Sequence, residues 1–140
     1  MKVTLAQQVD LLLTHSVGCT AHFTQLAGIA ALTGPQDAAE AVVAEYQKRR
    51  DVVVDGLNQI RGIKCQKPKG AFYAFPNIQA FGKTSQEIAD LVLDQAGVAL
   101  LPGSSFGKYG EGYLRISYAN SIDNLQSGLE KIKSVLETLV

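Results

Sequence analysis

The fold of this chain is decided by residues 98–117, which read Val98-Ala99-Leu100-Leu101-Pro102-Gly103-Ser104-Ser105-Phe106-Gly107-Lys108-Tyr109-Gly110-Glu111-Gly112-Tyr113-Leu114-Arg115-Ile116-Ser117. The apolar run at residues 98–101 has the length of a buried strand, and residues 113–117 alternate like a half-buried strand. Between them, a glycine-rich loop predicts a flexible or tightly turned connection. The alternation places Arg115 on the same strand face as Tyr113 and Ser117.

The flanking sequence extends these strands into an α/β domain. Residues 63–65 and 71–75 have strand-like apolar patterns and are separated by turn-forming residues. Thr84 and Glu87 have the spacing of a capping box, at the start of a helix that Gly97 ends, and Ser121 can cap a final helix. The order strand, strand, helix, strand, strand, helix predicts an open α/β sandwich, with helices on one face of a small mixed sheet.

The first 62 residues show helical periodicity throughout. Thr4 and Gln7 have capping-box spacing at the start of a first helix, and we expect Gly34 to close a second helix in the left-handed conformation. A third helix, from about Asp37 to Ile60, would be more than about 30 Å long. A helix of this length can join two bodies of a larger protein, so the sequence looks like a piece of one.

Composition and charge exclude several classes of function. Thirteen basic side chains balance thirteen acidic ones, so no net field favours nucleic acid or an anionic membrane as a partner. We find no signal peptide and no segment of membrane-spanning length, and expect a cytoplasmic protein. Cys19 and Cys65 suit neither a disulfide framework nor a zinc site, so we expect them to be structural and inert. His15 and His22 lack accompanying ligands, which argues against a metal site.

Arg115 is the candidate binding residue that the pattern itself singles out. No serine-hydrolase, zinc-protease or phosphate-loop motif is present. The glycine-rich loop does not open a helix, so it does not favour phosphate; its backbone can instead approach a ligand or a neighbouring domain closely. The guanidinium of Arg115 either extends to solvent or binds a planar anion, and a carboxylate is the natural partner because its two oxygens match the guanidinium fork.

Three motifs together resemble the C-terminal signature of class I/II aminotransferases, especially the bacterial aspartate aminotransferase branch. They are residues 70–76 (Gly-Ala-Phe-Tyr-Ala-Phe-Pro), residues 98–107 and residues 112–117, in matching order and spacing. Gln25, residues 34–37 and residues 49–51 also resemble this family, so the resemblance covers nearly the whole chain. Residues 19–22 depart from the pattern, because relatives often carry a stretch richer in serine, asparagine and proline there; this bears on the subfamily.

The resemblance implies a fold in which a large domain holds pyridoxal phosphate and a small domain moves over it. Residues 1–35 would be the helical end of the large domain, residues 36–62 the long linking helix, and residues 63–140 the small α/β domain. Arg115 would grip the substrate α-carboxylate, and Phe72 would lie near the substrate pocket. The Schiff-base lysine and the other main cofactor-binding residues would lie outside this chain, which we expect to be inactive alone.

The implied reaction is transfer of an amino group between an α-amino acid and a 2-oxo acid, by a protein that the resemblance implies to be a homodimer. Two alternatives stay open at the level of sequence. Lyases that use the same cofactor and fold share the C-terminal motifs. The chain could also be a free-standing α/β module that binds amino acids or another protein, in which Arg115 would be a ligand anchor.

Overall fold

The computed structural model describes residues 1–139 and shows five α-helices and three short strands in that range. The helices are α1 (Val3–Ser16), α2 (His22–Thr33), α3 (Asp37–Asn58), α4 (Ser85–Ala96) and α5 (Ile122–Leu136), and the strands are β1 (Tyr73–Ala74), β2 (Leu101–Pro102) and β3 (Leu114–Ser117). Within residues 1–139 no helix combines the length and the apolar character needed to cross a bilayer. The chain divides into two compact units, Met1–Ala38 and the residues from Ala39 onward.

The first unit contains α1 and α2, whose residues are all at least partly exposed. The capping box predicted from Thr4 and Gln7 is wrong: α1 has Lys2 as its N-cap without a side-chain hydrogen bond, because Thr4 already lies inside the first turn. The left-handed conformation predicted for Gly34 is also wrong, since its φ is −79° and its ψ is 179°. The following Pro35 explains this extended backbone, because a proline disfavours the helical region for the residue before it.

The second unit contains a three-stranded sheet in the order β1-β3-β2. Tyr73 pairs with Ser117 and Leu101 pairs with Arg115, and both pairings are antiparallel. The sequence predicted a mixed sheet, whereas in residues 1–139 the strand pairings are antiparallel. The reason is the position of β3: it lies between β1 and β2, which run in the same direction but never pair with each other.

Two of the predicted strands are shorter than expected. Residues 98–101 pair only from Leu101 onward, and residues 63–65 contribute an isolated bridge between Lys64 and Asn77. The segment at 63–65 is instead held by a side chain at the end of α3. Asn58 Nδ2 donates to the carbonyl oxygen of Cys65 at 2.9 Å, and the Cys65 N–H donates to Asn58 Oδ1 at 2.8 Å.

One hydrophobic core holds the second unit together. It is formed by α3, α4, α5 and the inward-facing side chains of the strands, and its largest fully buried members include Leu57, Ile60, Ile78, Ile88, Leu114, Tyr118 and Leu136. Burying side chains of this size stabilises the fold by roughly 1.5–3 kcal/mol each. The predicted arrangement, with helices on one face of a small sheet, is confirmed, and the opposite face of the sheet is left open.

Two helix starts predicted from the sequence are present. Thr84 Oγ1 accepts a hydrogen bond from the Glu87 N–H, and the Glu87 carboxylate accepts one from the Thr84 N–H at 2.8 Å, which completes the capping box of α4. The hydrogen bonds from the Thr84 N–H and hydroxyl lower the pKa of Glu87. Gly97 ends this helix with a φ of 64°, and Ser121 caps α5.

Candidate active site

Arg115 lies on the central strand β3, with its side chain on the sheet face that points away from the helices. Burial alternates along this strand: Leu114 and Ile116 are buried, whereas Arg115 is half-buried and Ser117 is exposed. Because Tyr73 is opposite Ser117, it shares the outer face with Arg115. The side-chain alternation predicted for β3 is therefore present.

Two aromatic rings flank the guanidinium of Arg115. Its Cζ lies 4.4 Å from the ring centroid of Tyr73 and 4.1 Å from that of Phe106. Tyr73 belongs to β1, on one side of the central strand, and Phe106 ends the turn after β2, on the other side. Both are cation–π contacts. We name Tyr73 and Phe106 together the aromatic clamp; neither was selected from the sequence, although both lie inside the motifs quoted above.

The guanidinium is available to an anion. No carboxylate within residues 1–139 forms an ion pair with Arg115. The N–H groups of a guanidinium project in its plane, where a carboxylate can bind through two parallel hydrogen bonds. Arg115 is thus a half-buried cation that contacts two rings and has no carboxylate partner in the described residues.

The glycine-rich loop is a tightly turned connection whose two ends touch each other. The Gly103 N–H donates to the carbonyl oxygen of Tyr113 at 2.8 Å. A Cβ atom on Gly103 would overlap the carbonyl oxygen of Gly110, and a Cβ on Gly110 would overlap that of Gly103. The close backbone approach that Gly103 and Gly110 allow is therefore between two parts of the loop itself, on either side of Phe106.

Glu111 ties this loop to the start of α4. The Ser85 N–H donates to Glu111 Oε1 at 2.7 Å, and the fully buried Ser85 Oγ accepts from the N–H groups of Gly112 at 2.9 Å and Tyr113 at 3.3 Å. The pKa of Glu111 is lowered chiefly by the hydrogen bond from the Ser85 N–H, while burial acts in the opposite direction. A charged Glu111 thus fixes the chain directly before β3.

Phe72, the second predicted site residue, lies beside a different cleft. Its ring centroid is 6.0 Å from that of Tyr46 and 4.3 Å from that of Tyr73. It lines a cleft of about 260 Å³ together with Tyr46, Arg50 and other residues. The ring of Tyr73 contacts both the ring of Phe72 and the guanidinium of Arg115, so it connects Phe72 to the Arg115 site. The cation–π contacts of the guanidinium are with the two rings of the aromatic clamp.

The backbone just before Phe72 is strained and is held by one hydrogen bond. Ala71 has a φ of 60°, in the left-handed region that a residue with a Cβ rarely adopts. The hydroxyl of the buried Tyr118 donates to the Ala71 carbonyl oxygen at 3.0 Å. Burial raises the pKa of Tyr118, so the hydroxyl remains a donor at neutral pH. This contact fixes the direction in which the chain enters β1.

The family is settled by the match to known sequences. The model of the family described as "Aminotransferase class I and II" matches residues 4–132. The chain belongs to this family. An aspartate aminotransferase of Pyrococcus horikoshii is 41% identical over 133 residues, which are 94% of this chain and 34% of that protein. An LL-diaminopimelate aminotransferase of Moorella thermoacetica is 45% identical over 112 residues, which are 80% of this chain and 28% of that protein.

Solved aminotransferases have the same fold. An aromatic aminotransferase from Pyrococcus horikoshii superposes with a TM-score of 0.86 at 41% identity, over 92% of this chain and 35% of that chain. An alanine aminotransferase from Pyrococcus furiosus superposes with a TM-score of 0.87 at 33% identity, over 98% of this chain and 35% of that chain. A PLP-bound protein from Clostridium difficile superposes with a TM-score of 0.80 at 24% identity, over 94% of this chain and 34% of that chain. At this identity the likeness shows the fold alone. The chain thus spans about a third of the length of the aminotransferases it matches.

The residues present do not fit a complete pyridoxal-phosphate site. A lysine that binds this cofactor covalently needs an enclosed pocket and a partner for the pyridine nitrogen. Every lysine within residues 1–139 is exposed. In the same range no group of three or more histidine, cysteine, aspartate or glutamate side chains is arranged to hold a metal ion. The described lysines are therefore not placed in the enclosed pocket that such a covalent site requires.

Proposed function

We propose that this chain supplies the substrate-carboxylate site of an aminotransferase that transfers an amino group between an α-amino acid and a 2-oxo acid through pyridoxal phosphate. The observation that carries the proposal is the guanidinium of Arg115, which has no carboxylate partner in residues 1–139 and is flanked by two rings on the open face of the sheet. On this proposal, residues 1–35 belong to the large domain of the family fold and residues 63–140 to its small domain. Residues 36–62 form the helix that links the two domains.

Arg115 acts by binding and orienting the substrate. Its N–H groups donate two parallel hydrogen bonds to the α-carboxylate, which fixes the position of the neighbouring Cα. A reaction at Cα then starts from a positioned encounter instead of a random one. The amino acid and the 2-oxo acid both carry this carboxylate, so one arginine serves both directions of the transfer. Phe72 lies one residue from the clamp and is proposed to border the substrate pocket.

Pyridoxal phosphate is proposed to be held by residues outside this chain. Two observations support this: the lysines of residues 1–139 are exposed, and the chain spans about a third of its relatives. On this proposal the chain is inactive alone, and the longer protein is a cytoplasmic homodimer.

The anion site can be tested on the chain itself with sodium acetate as a monocarboxylate probe. At constant ionic strength, NMR signals of the arginine Nε–H groups are followed as acetate replaces chloride. We expect a saturable shift at Arg115, and loss of acetate binding in Arg115→Gln. Arg49 is the matched control, because Glu45 already pairs with it at 2.9 Å; Arg49→Gln should bind acetate like the wild type. If Arg115 responds no more than Arg49 does, the proposed role of Arg115 is wrong.

The chemistry of the longer protein can be tested by its products. A β-lyase needs no acceptor: it eliminates the β-substituent of a suitable amino acid as a leaving group, and water then releases ammonia and a 2-oxo acid. An aminotransferase needs a second 2-oxo acid as acceptor of the amino group. The relatives compared above are named aminotransferases, which favours transfer. We expect no turnover until an acceptor is added; ammonia released in its absence would instead support the lyase alternative.

A further inference from the structure

We propose that Tyr73 and Phe106 are positioning residues for carboxylate binding, because they hold the Arg115 guanidinium in the orientation that its ligand requires. This inference rests on the proposed function of Arg115. Neither residue needs to touch the substrate. Their effect is exerted through the arginine, whose guanidinium both rings contact.

The contacts of the guanidinium support this role. The ring centroids of Tyr73 and Phe106 lie 4.4 Å and 4.1 Å from its Cζ, and the two residues come from opposite sides of the central strand. No carboxylate in residues 1–139 pairs with the guanidinium. An arginine side chain has several freely rotating bonds, so it would sample many orientations without such contacts. The aromatic clamp is therefore the part of the described chain that restrains it.

Each ring of the clamp has its own support. Tyr73 is fixed by the β1–β3 pairing and by the neighbouring ring of Phe72, at 4.3 Å between centroids. Phe106 lies on the glycine-rich loop. The contact of Gly103 with Gly110 closes this loop, and Glu111 ties it to the start of α4. Two independent anchors thus converge on one guanidinium. Such an arrangement is expected of a restrained binding group and has no obvious use for a side chain that only reaches into solvent.

Restraint strengthens binding because less freedom is lost when the ligand arrives. Immobilising a long side chain in a complex is costly, and holding it beforehand removes much of that cost. Removing one ring should therefore weaken carboxylate binding by about fivefold. Replacing one ring by another aromatic ring should leave the affinity close to that of the wild type.

The test uses the chain with paired substitutions and two measurements. Phe106→Leu and Tyr73→Leu each remove one ring, whereas Phe106→Tyr and Tyr73→Phe keep it. Phe106 is 48% exposed, so its leucine variant should fold even if the Tyr73 variant does not. The first measurement is the heteronuclear NOE of the Arg115 Nε–H, which reports its motion without any ligand. The second is the dissociation constant for acetate at constant ionic strength.

We expect the leucine variants to show a lower NOE at Arg115 and about fivefold weaker acetate binding, and the aromatic variants to match the wild type in both. If Phe106→Leu keeps both the NOE and the affinity of the wild type while Arg115→Gln loses acetate, the clamp has no positioning role and the proposed function stands. If the wild-type Arg115 does not bind acetate at all, the proposed function itself fails, and the inference fails with it.

Discussion

Replacing Gly103 by alanine should open the loop beside Arg115 and destabilise the second unit by about 3 kcal/mol. The new Cβ would overlap the carbonyl oxygen of Gly110 and lie 2.7 Å from that of Tyr113 and 3.0 Å from the ring of Phe75. Two of these neighbours are backbone atoms, which cannot move without opening the loop. Overpacking of this kind costs about 1–3 kcal/mol, and weakening the hydrogen bond from Gly103 to Tyr113 adds about 1 kcal/mol.

Urea unfolding followed by tyrosine fluorescence measures this effect, because all five tyrosines of the chain lie between residues 46 and 118, in the second unit. Gly128→Ala is the matched control: the same change within α5 meets nothing within 4 Å. Replacing a helical glycine by alanine where the new Cβ meets no other atom should raise the free energy of unfolding by about 0.5–1 kcal/mol. The urea midpoint should thus fall in Gly103→Ala and rise in Gly128→Ala. A Gly103→Ala midpoint within experimental error of the wild type would refute the closed loop described here.

Three further changes test contacts around the site. Asn58→Ala removes both hydrogen bonds to the segment after α3, and urea unfolding should show a loss of about 2 kcal/mol; an unchanged midpoint would contradict it. Tyr118→Phe removes the donor to the Ala71 carbonyl, so thermal unfolding should show a loss of about 1 kcal/mol, whereas equal stability would mean that this bond contributes nothing. The folded state lowers the pKa of Glu111, so its charge stabilises the fold above the unfolded pKa, and this contribution is lost as pH falls through the folded pKa. Glu111→Gln should therefore melt lower than the wild type at neutral pH and converge with it in acid; a constant difference across pH would exclude this linkage.

Contacts between near neighbours were predictable from the sequence. The capping box of Thr84 and Glu87 and the stop at Gly97 are present because three or four adjacent residues determine their geometry. The same reasoning was wrong for Thr4, because α1 begins before it, and for Gly34, because the next residue is a proline. The spacing of nearby residues shows which of them can cap or end a helix. A following proline, or a helix that begins earlier, can prevent that role.

Contacts between distant segments were not predictable. The face on which Arg115 lies follows from the alternation of β3, but its partners depend on other elements. Tyr73 reaches it through the β1–β3 register, and Phe106 through the closure of the loop by Gly103 and Gly110. The mixed sheet was wrong for the same reason: element order does not reveal that β3 enters between the other two strands. The roles of Arg115 and Phe72 in substrate binding stay predictions.

We propose that this chain carries the arginine for the substrate carboxylate but not the lysine that binds the cofactor. An absorbance titration of the purified chain with pyridoxal phosphate tests it most directly. We expect no saturable band that changes when an amino acid is added. A saturable, amino-acid-responsive band that disappears on replacing a single lysine would contradict it, because one of the nine lysines of this chain would then bind the cofactor.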